Sequence, residues 1–177
     1  MKLATLLTTL FSLLAFSAIS QAQQDPIANS ENLRKSEKVW LEMKKKCEGN
    51  YSYQKINIYM MGDRNVTTVT VKNNIVVERK YEKFKPRAEK SEVVYTETGD
   101  KIGTHKVGAP AKTIDELHVI AGERLREVLP ENQVLSMYFA KNGLIKTCVS
   151  YDPRIADDVP TNGFSISNLK LEEKAKK

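Results

Sequence analysis

The sequence predicts an α+β fold: one antiparallel sheet of about six or seven strands with an N-terminal and a central helix packed on one face. Three observations carry that reading. Short β-branched and aromatic runs are separated by Asn-Asn, Asn-Gly and Gly-Asp turns. Two stretches repeat apolar residues at helical spacing. The links between most strands are hairpin-length, which demands antiparallel pairing.

The chain opens with a positive residue, Lys2, and an uncharged apolar run from Leu3 to Ile19, followed by Ser20-Gln21-Ala22. This is the three-part pattern of a secretory signal peptide, with residues 1–22 removed and Gln23 leading the mature chain. Five Thr/Ser within the run make it short and polar for a bilayer span of roughly 20 residues. The expectation is export to the periplasm or the extracellular space, with no transmembrane span left after cleavage. Residues 23–30 read as a flexible arm, 31–171 as a single domain and 172–177 as a charged tail.

Asn29 or Ser30 can cap the first helix, because their side-chain oxygens accept from free N–H groups of the first turn. Leu33, Trp40 and Cys47 recur every seven residues and form its apolar stripe. Gly49 and Asn50 stop it, and Lys44-Lys45-Lys46 suits the negative pole of the helix dipole. Tyr51 to Met61 then reads as a strand ended by Gly62-Asp63. Val66 to Val71 forms the next and turns through Asn73-Asn74 onto Ile75-Val76-Val77.

Glu78 to Lys90 is strongly basic, with six cations against three anions, and Val93 to Thr96 resumes strand character. Lys101 to Lys112 holds Gly103, Gly108 and Pro110 and reads as irregular. Thr113 and Glu116 spell a capping box. Behind them Ile114, Leu117, Ala121, Leu125 and Val128 share a helical face that Pro130 ends. Strands follow at Leu135–Phe139, Leu144–Tyr151 and Phe164–Ser167, the first two joined by Asn142-Gly143, and a frayed end begins at Leu169.

Composition excludes several classes. At 41% hydrophobic residues, with 8 Gly, 6 Pro and 2 Cys, the 177-residue chain is not collagen-like, disordered or a multi-bridge knottin. No Gly-x-Ser-x-Gly, phosphate-cradling loop or dinucleotide fingerprint is present. His105 and His118 lack paired ligands at zinc spacing, and His118 sits at the edge of an apolar stripe, as a packing residue would. No catalytic residue and no cofactor is assigned.

Three constellations remain. Cys47 and Cys148 can form a disulfide in an oxidising compartment, worth ~4.7 kcal/mol for a loop of about 100 residues. Their alternative is two buried thiols. Strict alternation puts Cys148 with Lys146 and Ser150, opposite Ile145, so a bridge needs a bulge to turn it inward. Asp152, Asp157 and Asp158 could offer oxygens to Ca²⁺ or a carboxylate-based enzyme site, or simply build turns. Lys83, Lys85 and Arg87 could bind an anion, with Tyr81 and Phe84 interleaved, or could be a solvated hairpin.

The segments Asn50-Tyr51-Ser52-Tyr53, Val69-Thr70-Val71-Lys72-Asn73, Thr113-Ile114-Asp115-Glu116-Leu117, Asp152-Pro153 through Asp157-Asp158, and Gly163 to Asn168 fall in one order. In that order the chain resembles a family of small exported bacterial domains with no assigned function. The resemblance covers Trp40 to Leu169, implies a bacterial source and the α+β fold, and transfers no catalytic residue. Asn74 stands where the family usually places Gly, and Glu78–Glu92 is longer and more basic than usual.

The expectation is therefore an exported, non-enzymatic binding domain of the bacterial cell envelope. Its partner would be an anionic envelope polymer, a lipid headgroup or a protein, and not nucleic acid. The alternatives are the carboxylate-based enzyme and an inhibitor-like module docking a protein through its sheet.

Overall fold

A computed structural model describes residues 26–59, 61–87, 90–155 and 162–172 of the chain. The expected signal peptide therefore lies outside the described residues, as do Asp157, Asp158 and nearly all of the charged tail. Among the described residues two helices and eight strands make an α+β fold, in the order α1 (Pro26–Cys47), β1 (Tyr51–Ile58), β2 (Arg64–Lys72), β3 (Ile75–Phe84), β4 (Glu92–Thr98), α2 (Ile114–Arg126), β5 (Val134–Phe139), β6 (Ile145–Tyr151), β7 (Asn162–Ser165) and β8 (Ser167–Leu171). A short 3₁₀ turn at Gly99–Lys101 follows β4.

The strands form two antiparallel sheets, not the single sheet expected. One has the order β4-β3-β2-β1-β8 and the other β5-β6-β7. The division falls at Ile166, whose N–H bonds Lys146 O at 2.6 Å before the chain crosses to pair β8 with β1. β8 corrects the expected frayed end, because Leu169 and Leu171 pack against the core. β7 approaches β6 so closely that a Cβ at Gly163, where φ is +142, would stand 2.0 Å from Cys148 O. Only glycine fits there.

α1 is described from Pro26, so residues 26–30 of the expected arm are helical and neither Asn29 nor Ser30 caps the helix. A proline's fixed φ suits a first helical turn, which has no use for its missing N–H. Leu33, Ser36, Trp40 and Cys47 are its buried face together with Asn29. Trp40 meets Tyr51 edge-on at 4.8 Å. α2 carries the predicted capping box, Thr113 Oγ1 accepting from Glu116 N while Glu116 accepts from Thr113 N. It ends at Arg126, ahead of Pro130, leaving Val128 exposed rather than on the helix face.

The Asn73-Asn74 turn has both residues at positive φ, as a two-residue hairpin of this type requires. Facing the helices, cross-strand partners line up in rows. Tyr53, Val69, Arg79 and Glu97 make one row, and Lys55, Thr67, Tyr81 and Tyr95 the next. Asn57, Asn65, Lys83 and Glu92 make a third. The core gathers Val69, Val71, Tyr51 and Tyr53 with Leu117 and Ala121 of α2 and Met137, Ile145 and Phe164 of the small sheet. Along this face the sheet thus passes from apolar to polar, and the third row lies at the end where the β1–β2 and β3–β4 turns meet.

Candidate functional site

The two turns at that end bring together cations and bare apolar side chains. From the β1–β2 side come Ile58 and Met61, 75% and 83% exposed, with half-exposed Tyr59. From the β3–β4 side come Lys83, Lys85, Arg87 and Lys90. No ion pair engages any of these four cations among the described residues. Arg64, opening β2, lays its guanidinium over the Phe84 ring at 4.3 Å. A depression of ≈ 730 Å³ runs between the turns, lined by Tyr59, Asn65, Lys83, Phe84, Lys85 and Lys90, with Asp63 and Glu92 also on its wall. The predicted anion-binding residues therefore share one end of the sheet. The exposed Ile58 and Met61 beside them were not anticipated, although an apolar Ile-Tyr-Met-Met run leading into Gly62-Asp63 was visible in the sequence.

A second polar assembly lies where the sequence offered only an irregular stretch. Arg79 and Glu97, neighbours across β3 and β4, form an ion pair at 2.9 Å with side chains 3% and 1% exposed. Glu97 also accepts from Gly103 N and His105 N at 2.7 Å, from His105 Nδ1 at 2.8 Å and from Thr104 Oγ1 at 3.2 Å. Burial opposes its ionisation, but those backbone N–H groups, the imidazole and Arg79 outweigh it and hold the carboxyl at about 2. Arg79 in turn donates to His105 O and Val107 O. Tyr95 OH donates to Val107 O, and Ala109 N donates to Thr67 Oγ1. The loop after β4 is thereby fastened over the sheet.

His105, 52% exposed, stacks on Tyr95 at 4.0 Å, and Tyr95 stacks on Tyr81 at 5.4 Å. A carboxylate holding an imidazole nitrogen is the arrangement of a general base. Here Glu97 holds His105 through both its backbone N–H and Nδ1, so the pair orients the loop. The clue available was alternation: Arg79 shares its strand face with Tyr81, and that face is buried.

Asp152 is the one described member of the predicted acidic cluster. Its oxygens accept from Arg154 N, Nε and Nη2 and from Asn132 Nδ2, which saturates the carboxylate. Arg154 is the chief cause holding its pKa far below the usual carboxylate range. This is turn chemistry. No group of three or more His, Cys, Asp or Glu that could hold a metal occurs among the described residues.

The expected Cys47–Cys148 disulfide is not formed; both are buried free thiols. The anticipated bulge does exist. Lys146 has no partner in the β5 register between Thr147 and Ile145, so Ile145 and Cys148 both face the core. Separation along α1 is what forbids the bridge. Ser36 Oγ lies 2.7 Å from Ile145 N. Cys47 lies eleven residues further along the helix, about 16 Å at 1.5 Å per residue. β6 then runs the other way, toward Tyr151 and its partner Val134, which shares a depression with Pro26 and Asn29. Disulfides span Cα atoms no more than about 7 Å apart. Burial pushes the Cys148 thiol up to about 11.

His118 is buried, as expected of a packing residue. No protein-family model, no curated protein and no solved structure matches the chain.

Proposed function

We propose that this chain is an exported, non-enzymatic binding domain of the bacterial cell envelope whose basic end rests on an anionic lipid surface. The observation that carries the reading is the pairing, at one end of the large sheet, of exposed Ile58, Tyr59 and Met61 with Lys83, Lys85, Arg87 and Lys90. Cations alone would suit any polyanion. Bare apolar side chains beside them favour a headgroup layer, where lysines meet phosphate while apolar tips enter the acyl boundary. No described helix is long and apolar enough to cross a membrane, so contact through the strand turns is a peripheral mode. Export would place the domain beside such a surface.

Co-sedimentation with vesicles tests this. The protein should pellet with phosphatidylglycerol vesicles and not with phosphatidylcholine vesicles, and release as salt rises. Each basic residue near an anionic surface contributes about 1 kcal/mol, so Lys83→Glu with Lys85→Glu should weaken binding at least roughly a hundredfold. Equal pelleting with both lipids, or no effect of the double reversal, would refute the reading. Salt-sensitive binding to a soluble anionic envelope polymer without vesicle binding would replace the bilayer by that polymer.

A further inference from the structure

At the tip of the large sheet, on the face turned away from the helices, Ile58 stands opposite Arg64 and Arg64 opposite Phe84. The two turns that flank this row touch: a Cβ at Gly62 would lie 3.6 Å from Pro86 Cβ. The row thus belongs to the same end as the exposed apolar side chains and the four free cations.

Arg64 differs from those four cations in how it is held. Its guanidinium lies over the Phe84 ring at 4.3 Å, and Phe84 is itself part of the wall of the depression between the turns. The ring face attracts the cation and so limits where its long side chain can go. Arg64 is nonetheless exposed, and it makes no hydrogen bond and no ion pair among the described residues. Glu82, on the same face one row inward, is already engaged by Lys80 and Ser91. The N–H donors of Arg64 are therefore both placed and reachable from solvent.

That combination has a chemical meaning. Lysines are point charges on flexible stems, whereas a guanidinium is a planar fork that meets two oxygens of one phosphate at once. Less freedom is lost on binding when the fork is already placed. A bilayer presents such a phosphate just above the acyl boundary, which Ile58, the cross-strand neighbour of Arg64, would enter.

We propose that Arg64 is the residue that reads the headgroup phosphate, taking two of its oxygens, while Lys83, Lys85 and Lys90 supply attraction to any anionic surface. Phe84 is a positioning residue that acts through Arg64. The inference rests on the bilayer reading of this end and names the group that the end recognises.

The test compares variants of unchanged net charge on phosphatidylglycerol vesicles. Arg64→Lys, an exposed substitution, keeps the charge and loses the fork, and should weaken binding roughly tenfold. Phe84→Leu keeps an apolar side chain but frees the guanidinium, and should weaken binding about threefold, with little further loss when added to Arg64→Lys. Arg87→Lys makes the same exchange at a cation with no aromatic partner among the described residues, and should change affinity by less than about twofold. Arg64→Lys binding as tightly as the wild type, or Arg87→Lys losing as much as Arg64→Lys, would overturn the inference and leave the bilayer reading standing. Wild-type protein that fails to pellet with these vesicles would overturn both. Micromolar sodium phosphate that saturates Arg64 Nε–H shifts without vesicles would make the ligand a soluble phosphate and overturn the lipid assignment.

Discussion

The Ser36 hydroxyl and His118 Nε2 lie 2.9 Å apart in the core, joining the two helices. The donor sense follows from their other partners. Ile145 N donates to Ser36 Oγ at 2.7 Å, and His118 Nδ1 bonds Ile114 O at 2.9 Å. A carbonyl can only accept, so Nδ1 carries the proton, Nε2 accepts, and Ser36 donates to it. One neutral imidazole thus ties α1, α2 and the first residue of β6 together.

Protonating that imidazole reverses the Ser36–His118 bond, leaves the Ser36 hydroxyl hydrogen without its acceptor and puts a charge in the core. Burial lowers its pKa from 6.5, against Ile114 O and the charges of Glu37 and Asp115, which favour the cation. Below 6.5 the unfolded chain binds the proton that the folded chain refuses, so stability falls with pH in that range. Urea unfolding at pH 7 and pH 5 should show the loss, and His118→Gln should remove it. A wild-type stability that is level or rises toward pH 5 would contradict the neutral tautomer.

Glu97 gives the opposite titration in a lower window. Its carboxyl is held at about 2 against an ordinary 4.5, so its contribution is complete above 4.5 and is lost as pH falls toward 2. Glu97→Gln leaves Arg79 buried without its counter-charge and should cost about 3–5 kcal/mol at neutral pH. The same substitution should flatten the stability slope below pH 4.5. A loss under about 1 kcal/mol would mean that the pair is solvated in solution.

Local signals told most of the fold. Asn73-Asn74, Asn142-Gly143 and Thr113 with Glu116 each specify geometry from a few residues, and each turn or cap is where its residues require. The split into two sheets was hidden because it depends on Ile166 N finding Lys146 O, twenty residues away. The Arg79–Glu97 pair was hidden for a related reason. A charged pair in strands reads as solvent-facing until the loop that covers it is placed. The lysines of the basic end were legible as a run, but their apolar neighbours belong to another hairpin, and only pairing unites them.

The separation of the thiols predicts that the protein keeps two reduced cysteines even under oxidising conditions. Native protein should react negligibly with a thiol reagent, since both sulfurs are buried and Cys148 is pushed up to about 11. Unfolded in urea, it should react at both. An intact mass lower by two hydrogens would contradict this.

Thr113→Ala removes one half of the capping box and should destabilise the protein by about 1 kcal/mol with an unchanged urea m-value. No change would mean that Tyr51 OH, bonded to Ile114 N at 2.9 Å, holds the helix start alone.

The claim that the sheet's basic end meets a bilayer is tested most directly by a reporter at its tip. The only tryptophan, Trp40, is buried, so the emission of Met61→Trp stands out against it. With phosphatidylglycerol vesicles that emission should shift to the blue and be quenched by brominated acyl chains. An emission that stays fully aqueous while the protein is bound to the vesicles would show that another surface makes the contact.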